Sequence, residues 1–313
     1  MLDLPDDVSD FSYVIEDGQA GIRLDHFLVE RMPDYSRSQL TSSIKKGLVK
    51  INNLAVKASR KLQRDDIVTG SIEQTPPAVV VPQYIEFDIL FEDEYLIVLS
   101  KPPGLVVHPA SGNVDKTLVN GLLYHYKDIQ SVGDPIRPGI VHRLDKDTSG
   151  VMVAAKTNDV LRQLVDAFKS RSVRKKYHAI VLGTMSEDQG RIVAPIGRHP
   201  VNRKKMSIRQ YDGRFAASSW HLKNDIDGRY SFVEIEIETG RTHQIRVHMA
   251  SIGHPVAGDI VYGPKKANPL FPRQMLHSSE LIFTHPVLGR KMIMTAPLWS
   301  DMAKVLTELE QCD

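Results

Sequence analysis

Between two apolar stretches of Gly139–Lys156, GIVHRLDKDTSGVMVAAK, six polar side chains occupy seven positions: His142, Arg143, Asp145, Lys146, Asp147 and Thr148. A polar loop anchored by strands can present a carboxylate rigidly, as an acid, a base or a nucleophile. The same residues also suit a tight turn in which Asp147 or Thr148 bonds backbone and Gly150 supplies a permissive φ. A second polar segment, Glu238–Met249 (ETGRTHQIRVHM), reads as a strand end, a turn and a helix start carrying Arg241, His243, Arg246 and His248. Its plainer reading is a charged helix start on the surface. His243, His248 and His254 lack the i, i+4 spacing that puts two imidazoles on one helical face, which argues against a metal site. Phosphate-loop, dinucleotide-fingerprint and nucleophile-elbow motifs are absent, and there is no cysteine pair, so nucleotide hydrolysis, nicotinamide chemistry and cysteine-ligated zinc recede.

The elements that must position these groups can be read from periodicity. Strand-like runs dominate the chain after residue 84: IEFDILFED, YLIVLSK, GVMVAAK, YHAIVLG, SSWHLK, SFVEIEIETG, LIFTH and KMIMTAP. Helical spacing is clearest over Thr117–Tyr126, Asn158–Ser170, Ile245–Ser251 and Leu298–Glu310. Runs of strands with few interspersed helices predict an α+β domain around a mixed, mostly antiparallel sheet. Before it, Arg23–Met32 and a helix capped by Ser36 and stopped by Gly47 precede short strands at LVKI, LAV and Ile67–Ile72, with a turn at Asn52 and Asn53. That pattern predicts a small α/β domain over residues 21–73, after an acidic extension (1–20). A proline-rich linker (74–83) and the main domain (84–313) follow.

Charge follows the same division. The 313 residues carry 40 Lys plus Arg against 38 Asp plus Glu, a net charge of +2 that hides segregation. From Ser36 to Arg64 there are eight cations (Arg37, Lys45, Lys46, Lys50, Lys57, Arg60, Lys61 and Arg64) and no acid. Lys169–Tyr177 adds five cations and an aromatic within nine residues, and Arg198–Arg214 adds six cations against one acid. Cations neutralise phosphates with counterion release, and an aromatic can stack on an unpaired base, so these stretches predict an RNA-binding protein. A solvated polar face and a core role for Tyr177 remain the alternatives. Cys312 is the single cysteine, no secretory signal opens the chain, and no apolar run approaches the roughly 18 residues of a membrane helix. A cytoplasmic protein is the expectation.

The residue pattern then becomes specific. HRLDKDTSG (His142–Gly150) and TGRTHQIRVHM (Thr239–Met249) resemble the two strongest motifs of the RluA/RluD family of pseudouridine synthases. KPPGLVVHPASGN, KKYHAIVLG, IGRHPVNRKKM and HPVAGDIVYG are similar to further family segments. The likeness runs from Gly21 almost to the end of the chain. The small N-terminal unit, with VVHPASGN and RHP, is most similar to the RluD branch.

That resemblance implies the pseudouridine synthase fold and conversion of uridine to pseudouridine in large-subunit ribosomal RNA or a pre-ribosomal particle. It implies a monomer and no metal or cofactor. A tRNA substrate, or a non-catalytic RNA-binding role in ribosome assembly, are the alternative readings. By resemblance, Asp145 is the catalytic carboxylate, attacking either the base or the sugar, and Arg246 pairs with it and opposes the cost of burying its charge. Arg143 fills the space left by the flipped-out uridine, Tyr177 stacks on the base and assists loss of the carbon-5 proton, and Ile245 closes the apolar wall. His142 and Arg241 complete the expected substrate contacts. The eight cations of residues 36–64 grip phosphates elsewhere on the RNA.

Overall fold

The computed structural model describes residues 8–33, 35, 37–73, 80–110, 112–202, 205–266 and 268–311. The chain divides into two compact units, Met1–Ala78 and Val79–Asp313. Ser36, Cys312 and residues 74–79 of the expected linker lie outside the described residues.

In the first unit, β1 (Val8–Val14), α1 (Leu24–Arg31), α2 (Arg37–Lys45), β2 (Val49–Ile51), β3 (Leu54–Ala55) and β4 (Ile67–Glu73) form a four-stranded sheet of order β1-β4-β2-β3 under two helices. Leu24, Phe27, Leu28, Leu40 and Ile44 from the helices pack on Val49, Ile51, Val68 and Ile72. Asn52 and Asn53, at φ of 50° and 66°, make the tight β2–β3 turn that those residue types favour. The acidic N-terminal stretch is more than an extension, because β1 pairs antiparallel with β4 along Val8–Val14. Phe11 and Tyr13 alternate with exposed neighbours and pack on the core, a period-2 signal masked by the flanking acids.

The second unit contains β5 (Asp88–Glu92), β6 (Leu96–Lys101), α3 (Leu118–His125), β7 (Ser149–Ala155), α4 (Asn158–Lys169) and β8 (Arg174–Leu182). It continues through β9 (Gln189–Val193), β10 (Ile196–Arg198), β11 (Met206–Ile208), β12 (Ala217–Ile226), β13 (Tyr230–Ile237), α5 (Gln244–Ser251), β14 (Leu276–Thr284), β15 (Lys291–Thr295) and α6 (Ser300–Glu310). The main sheet runs β5-β6-β7-β14-β8-β13-β12-β9, with β15 on β14 and the short pair β10-β11 apart. All its pairings are antiparallel except β7 with β14. The architecture is therefore the mixed, mostly antiparallel sheet with flanking helices that the strand runs predict.

Both faces of the sheet are covered, which explains the strands' apolar content. Every residue of β6 and β7 is buried, as continuous apolar runs require. Successive residues of β8 divide between two cores: Ala179 and Val181 belong to the large core that also takes in residues of α3, α4 and α5, whereas Ile180 joins Met302, Val305 and Leu309 of α6. At the parallel junction Ser149 and Gly150 sit beside His277 and Ser278. Gly150 has φ of 111°, and a Cβ there would lie 2.1 Å from Ser278 O, so no side chain fits. That close approach ties the start of β7, and the polar loop before it, to β14.

Candidate active site

Asp145 and Thr148 bracket a turn closed by Thr148 N–H donating to Asp145 O at 3.1 Å. The loop is therefore a tight turn, closed by backbone and followed by Gly150 at φ of 111°. Three distant side chains pin its next residues in succession. Lys101 Nζ donates to Lys146 O at 2.9 Å, Arg273 Nη1 to Asp147 O at 2.8 Å, and Gln274 Nε2 to Thr148 Oγ1 at 2.8 Å. Lys101 is fully buried at the end of β6 and also donates to Pro102 O and Leu105 O, so three carbonyls compensate its missing water. Burial pushes its pKa down to about 7, helped by Arg273 and opposed by Asp147 and Asp145. Arg273 in turn is held by Asp301 at the start of α6 through Nε and Nη2, at 2.7 and 2.8 Å. The carboxylate of Asp145 stands on this pinned turn with 18% of its side chain exposed.

Opposite it, the first turn of α5 brings in Arg246, whose Nη1 donates to Asp145 Oδ2 at 3.0 Å. The same guanidinium forks onto Asp259, with Nε to Oδ2 at 2.6 Å and Nη2 to Oδ1 at 2.9 Å. Asp259 also accepts the Val261 and Tyr262 backbone N–H groups. Burial alone would raise the Asp259 carboxyl, but Arg246 and those amides outweigh it and hold the pKa below the usual carboxylate value. Burial works to lower the Arg246 pKa; its two carboxylates raise it overall. The Tyr262 ring lies under the guanidinium at 5.2 Å, and its hydroxyl meets His243 Nδ1 at 2.8 Å. His243 Nε2 is 3.9 Å from Asp145, and burial keeps the imidazole pKa below its ordinary value despite that carboxylate.

One hollow collects Asp145, Arg246, Tyr177, Ile245, Arg143 and Arg241. Tyr177 lies in β8 directly across from Ser278 and is 7% exposed, both a core residue and a wall of the hollow. Burial, then the Asp145 charge, raises its pKa well above the ordinary range, while the facing Ser278 hydroxyl pulls the other way. A neutral phenol follows. Ile245 is buried at the apolar side. Arg143 is exposed at the rim and has no ion pair among the described residues. Arg241 donates from Nε to Phe215 O at 3.0 Å and reaches the same rim.

His142 stands apart from this group. Its Nε2 accepts the Val153 N–H at 3.1 Å and its ring stacks on Phe168 at 4.6 Å, so it braces the loop and does not face Asp145. Burial and Lys175 lower its pKa to about 3, which leaves the ring neutral to accept that bond. His248 is tied to Ser218 Oγ and Ala194 O, and His254 to Leu182 O, so His243, His248 and His254 have separate partners. Among the described residues no group of three His, Cys, Asp or Glu side chains could hold a metal ion.

In the first unit all eight predicted cations are exposed. They are not free of counter-charge, as the local sequence suggests: Arg37 pairs with Asp25 at 2.7 Å and Arg64 with Asp17 at 3.0 Å. Those acids come from the preceding segment and are invisible to a window of residues 36–64. Asp259, Lys101 and Arg273 are the site residues that sequence reasoning passes over, although HPVAGDIVYG and KPPGLVVHPASGN contain the first two. An acid 13 positions beyond Arg246 was the available signal for the fork.

The chain is similar to known proteins along most of its length. The chain matches the RNA pseudouridylate synthase family over residues 95–251 and the S4 domain over residues 22–68. An uncharacterized RNA pseudouridine synthase of Synechocystis is 44% identical over 95% of this chain and 92% of its own. Ribosomal large subunit pseudouridine synthase D of Pseudomonas aeruginosa is 41% identical over 93% of each chain. Among solved structures, human RNA pseudouridylate synthase domain containing 4 aligns with a TM-score of 0.56 and 27% identity, over 71% of this chain and 92% of that one. An S4 unit followed by this sheet, with identity above 40% along nearly the whole length, places the chain in the RluA/RluD family of RNA pseudouridine synthases.

Proposed function

We propose that the enzyme converts uridines of large-subunit ribosomal RNA to pseudouridine at a site centred on Asp145. The observation that carries the assignment is the Asp145–Arg246 pair, 3.0 Å apart in the hollow that also holds Tyr177 and Ile245. The large-subunit target is supported by relatives such as the Pseudomonas aeruginosa enzyme, 41% identical. In the reaction the C1′–N1 bond of uridine breaks, the C1′–C5 bond forms, carbon-5 loses its proton and N1 gains one. A carboxylate nucleophile and a detached, rotating base both need a site that excludes water and does not shift. The pinned turn of residues 145–148 and the Arg246–Asp259 fork supply that rigidity.

Reaching the base requires flipping the nucleotide out of its stack, at a cost of a few kcal/mol. Arg143, exposed at the rim, has the planar cation to occupy the vacated space. Ile245 and the Tyr177 ring give the base two apolar surfaces. Tyr177, held neutral, takes the carbon-5 proton only if its own hydroxyl proton leaves in the same step, for the N1 that must gain one. The S4 unit adds a second grip on phosphates through its exposed lysines. Mapping pseudouridines in total RNA from cells with and without the gene tests the target. Loss of pseudouridine at large-subunit positions is expected, whereas loss confined to tRNA would refute the large-subunit reading.

A further inference from the structure

Beside the Asp145 hollow lies a second one, lined by Arg143, Lys169, Arg171, Lys175, Arg214 and Arg241. These cations come from four separate places in the sequence: the loop before β7, the α4–β8 junction, the loop before β12 and the turn before α5. None of the six forms an ion pair among the described residues. One acid, Glu238, also lines the hollow but is paired with Arg191 at 2.6 Å, and Glu236 is paired with Arg174 at 2.8 Å. Aromatic rings and a carbonyl hold the cations in place instead. Arg171 lies over Phe215 at 5.0 Å, Lys175 over Phe168 at 5.7 Å, and Arg241 spends only Nε on Phe215 O. Burial lowers the Arg241 pKa, and the neighbouring charges of Arg214 and Arg171 lower it further.

Six cations with donors to spare, in one hollow, form a site for a multiply coordinated anion. Arg143, Tyr177 and Arg241 line both hollows, so whatever fills the second is contiguous with the base in the first. We propose that the second hollow binds a backbone phosphate of the RNA next to the flipped uridine, through Arg171 and Arg214 together with Lys175 and Arg241. This deepens the reading of Asp145 as the reaction centre and rests on it. The phosphate contact would fix where the nucleotide pivots, and so which base reaches Asp145.

The test uses the full-length enzyme and synthetic ribosomal RNA fragments in which one phosphate at a time is replaced by a neutral methylphosphonate. Wild type is compared with the Arg171→Ala/Arg214→Ala variant by equilibrium binding over a range of salt. At one or two positions neutralisation should weaken wild-type binding several-fold and leave the variant unaffected. The variant's log Kd against log salt should be shallower by about 0.7, the amount that one lost single-strand phosphate contact removes. The Arg171→Lys/Arg214→Lys variant should restore most of the affinity, which separates charge from folding. Equal losses in both proteins at every position, or an unchanged salt slope, would overturn the proposal. Turnover by wild type on the same fragments is read in parallel. Its absence would count against the ribosomal RNA reading and leave the binding comparison standing.

Discussion

Arg246 gives two of its donors to Asp259, at 2.6 and 2.9 Å, and keeps one for Asp145 at 3.0 Å. The fork fixes the guanidinium plane, so the third donor points at the carboxylate without depending on substrate. Asp259→Asn keeps an acceptor but removes the charge and one arm of the fork. A kcat loss of about 10²-fold is expected, the cost of a misplacement near 1 Å, with RNA affinity within a few-fold. Single-turnover kinetics with parallel binding measure the split, and the separate Arg246→Lys variant should also lose kcat, because one ammonium cannot span both acids.

Tyr177 is a separate case, because its hydroxyl is neutral and its ring is part of the core. Tyr177→Phe preserves the packing and removes only the proton path. The expected result is unchanged thermal stability and RNA affinity with kcat lower by about 10²- to 10⁴-fold, the usual range for a lost acid–base group. Comparable turnover by the phenylalanine variant would leave Tyr177 as a stacking surface only.

Lys101 tests the pinned turn. Lys101→Met fills the same volume but leaves the carbonyls of Pro102, Leu105 and Lys146 without their donor. Each orphaned buried acceptor costs about 1–3 kcal/mol, so a lower urea midpoint and a slower reaction are expected together. A stable but slow variant would assign Lys101 to positioning alone.

Acidification should destabilise the sheet junction through His277. Burial lowers its pKa to about 4, against 6.5 for the free side chain. Between those values the unfolded chain binds the extra proton, so stability falls as pH drops through this window and is fully present above it. From pH 7 to pH 5 the upper bound is about 2 kcal/mol, at 1.36 kcal/mol per unit. Urea midpoints at the two pH values measure it, and a His277→Asn variant should show less of the decline.

The salt dependence of RNA binding should distinguish the cations of the S4 unit. Arg37 and Arg64 already face acids, whereas Lys45, Lys50 and Lys57 are exposed with no acid partner among the described residues. The triple Lys45→Ala/Lys50→Ala/Lys57→Ala variant should flatten the slope by about 2, and Arg64→Ala should flatten it less than any one of those lysines.

Much of this was legible from the chain, for identifiable reasons. Apolar runs marked β6 and β7, alternation marked β13, and helical spacing placed α3 and α4, because each signal is local. Asp145 and Arg246 stood out in polar motifs. The Asp259 fork, the burial of Lys101 and the Arg273–Asp301 link were not legible, because each joins residues far apart in sequence through a fold that periodicity does not specify. The parallel β7–β14 pairing belongs with them, joining residues 128 positions apart at Ser149 and His277. β1 was lost for a different reason: its alternation is short and sits among acids that read as a tail.

The central claim is that Asp145 is the reacting carboxylate. Single-turnover tritium release from RNA labelled at uridine carbon-5, with wild type and Asp145→Asn at saturating concentration, tests it most directly. No measurable release is expected from the variant, with RNA affinity within a few-fold of wild type. Release at a rate comparable to wild type would contradict it.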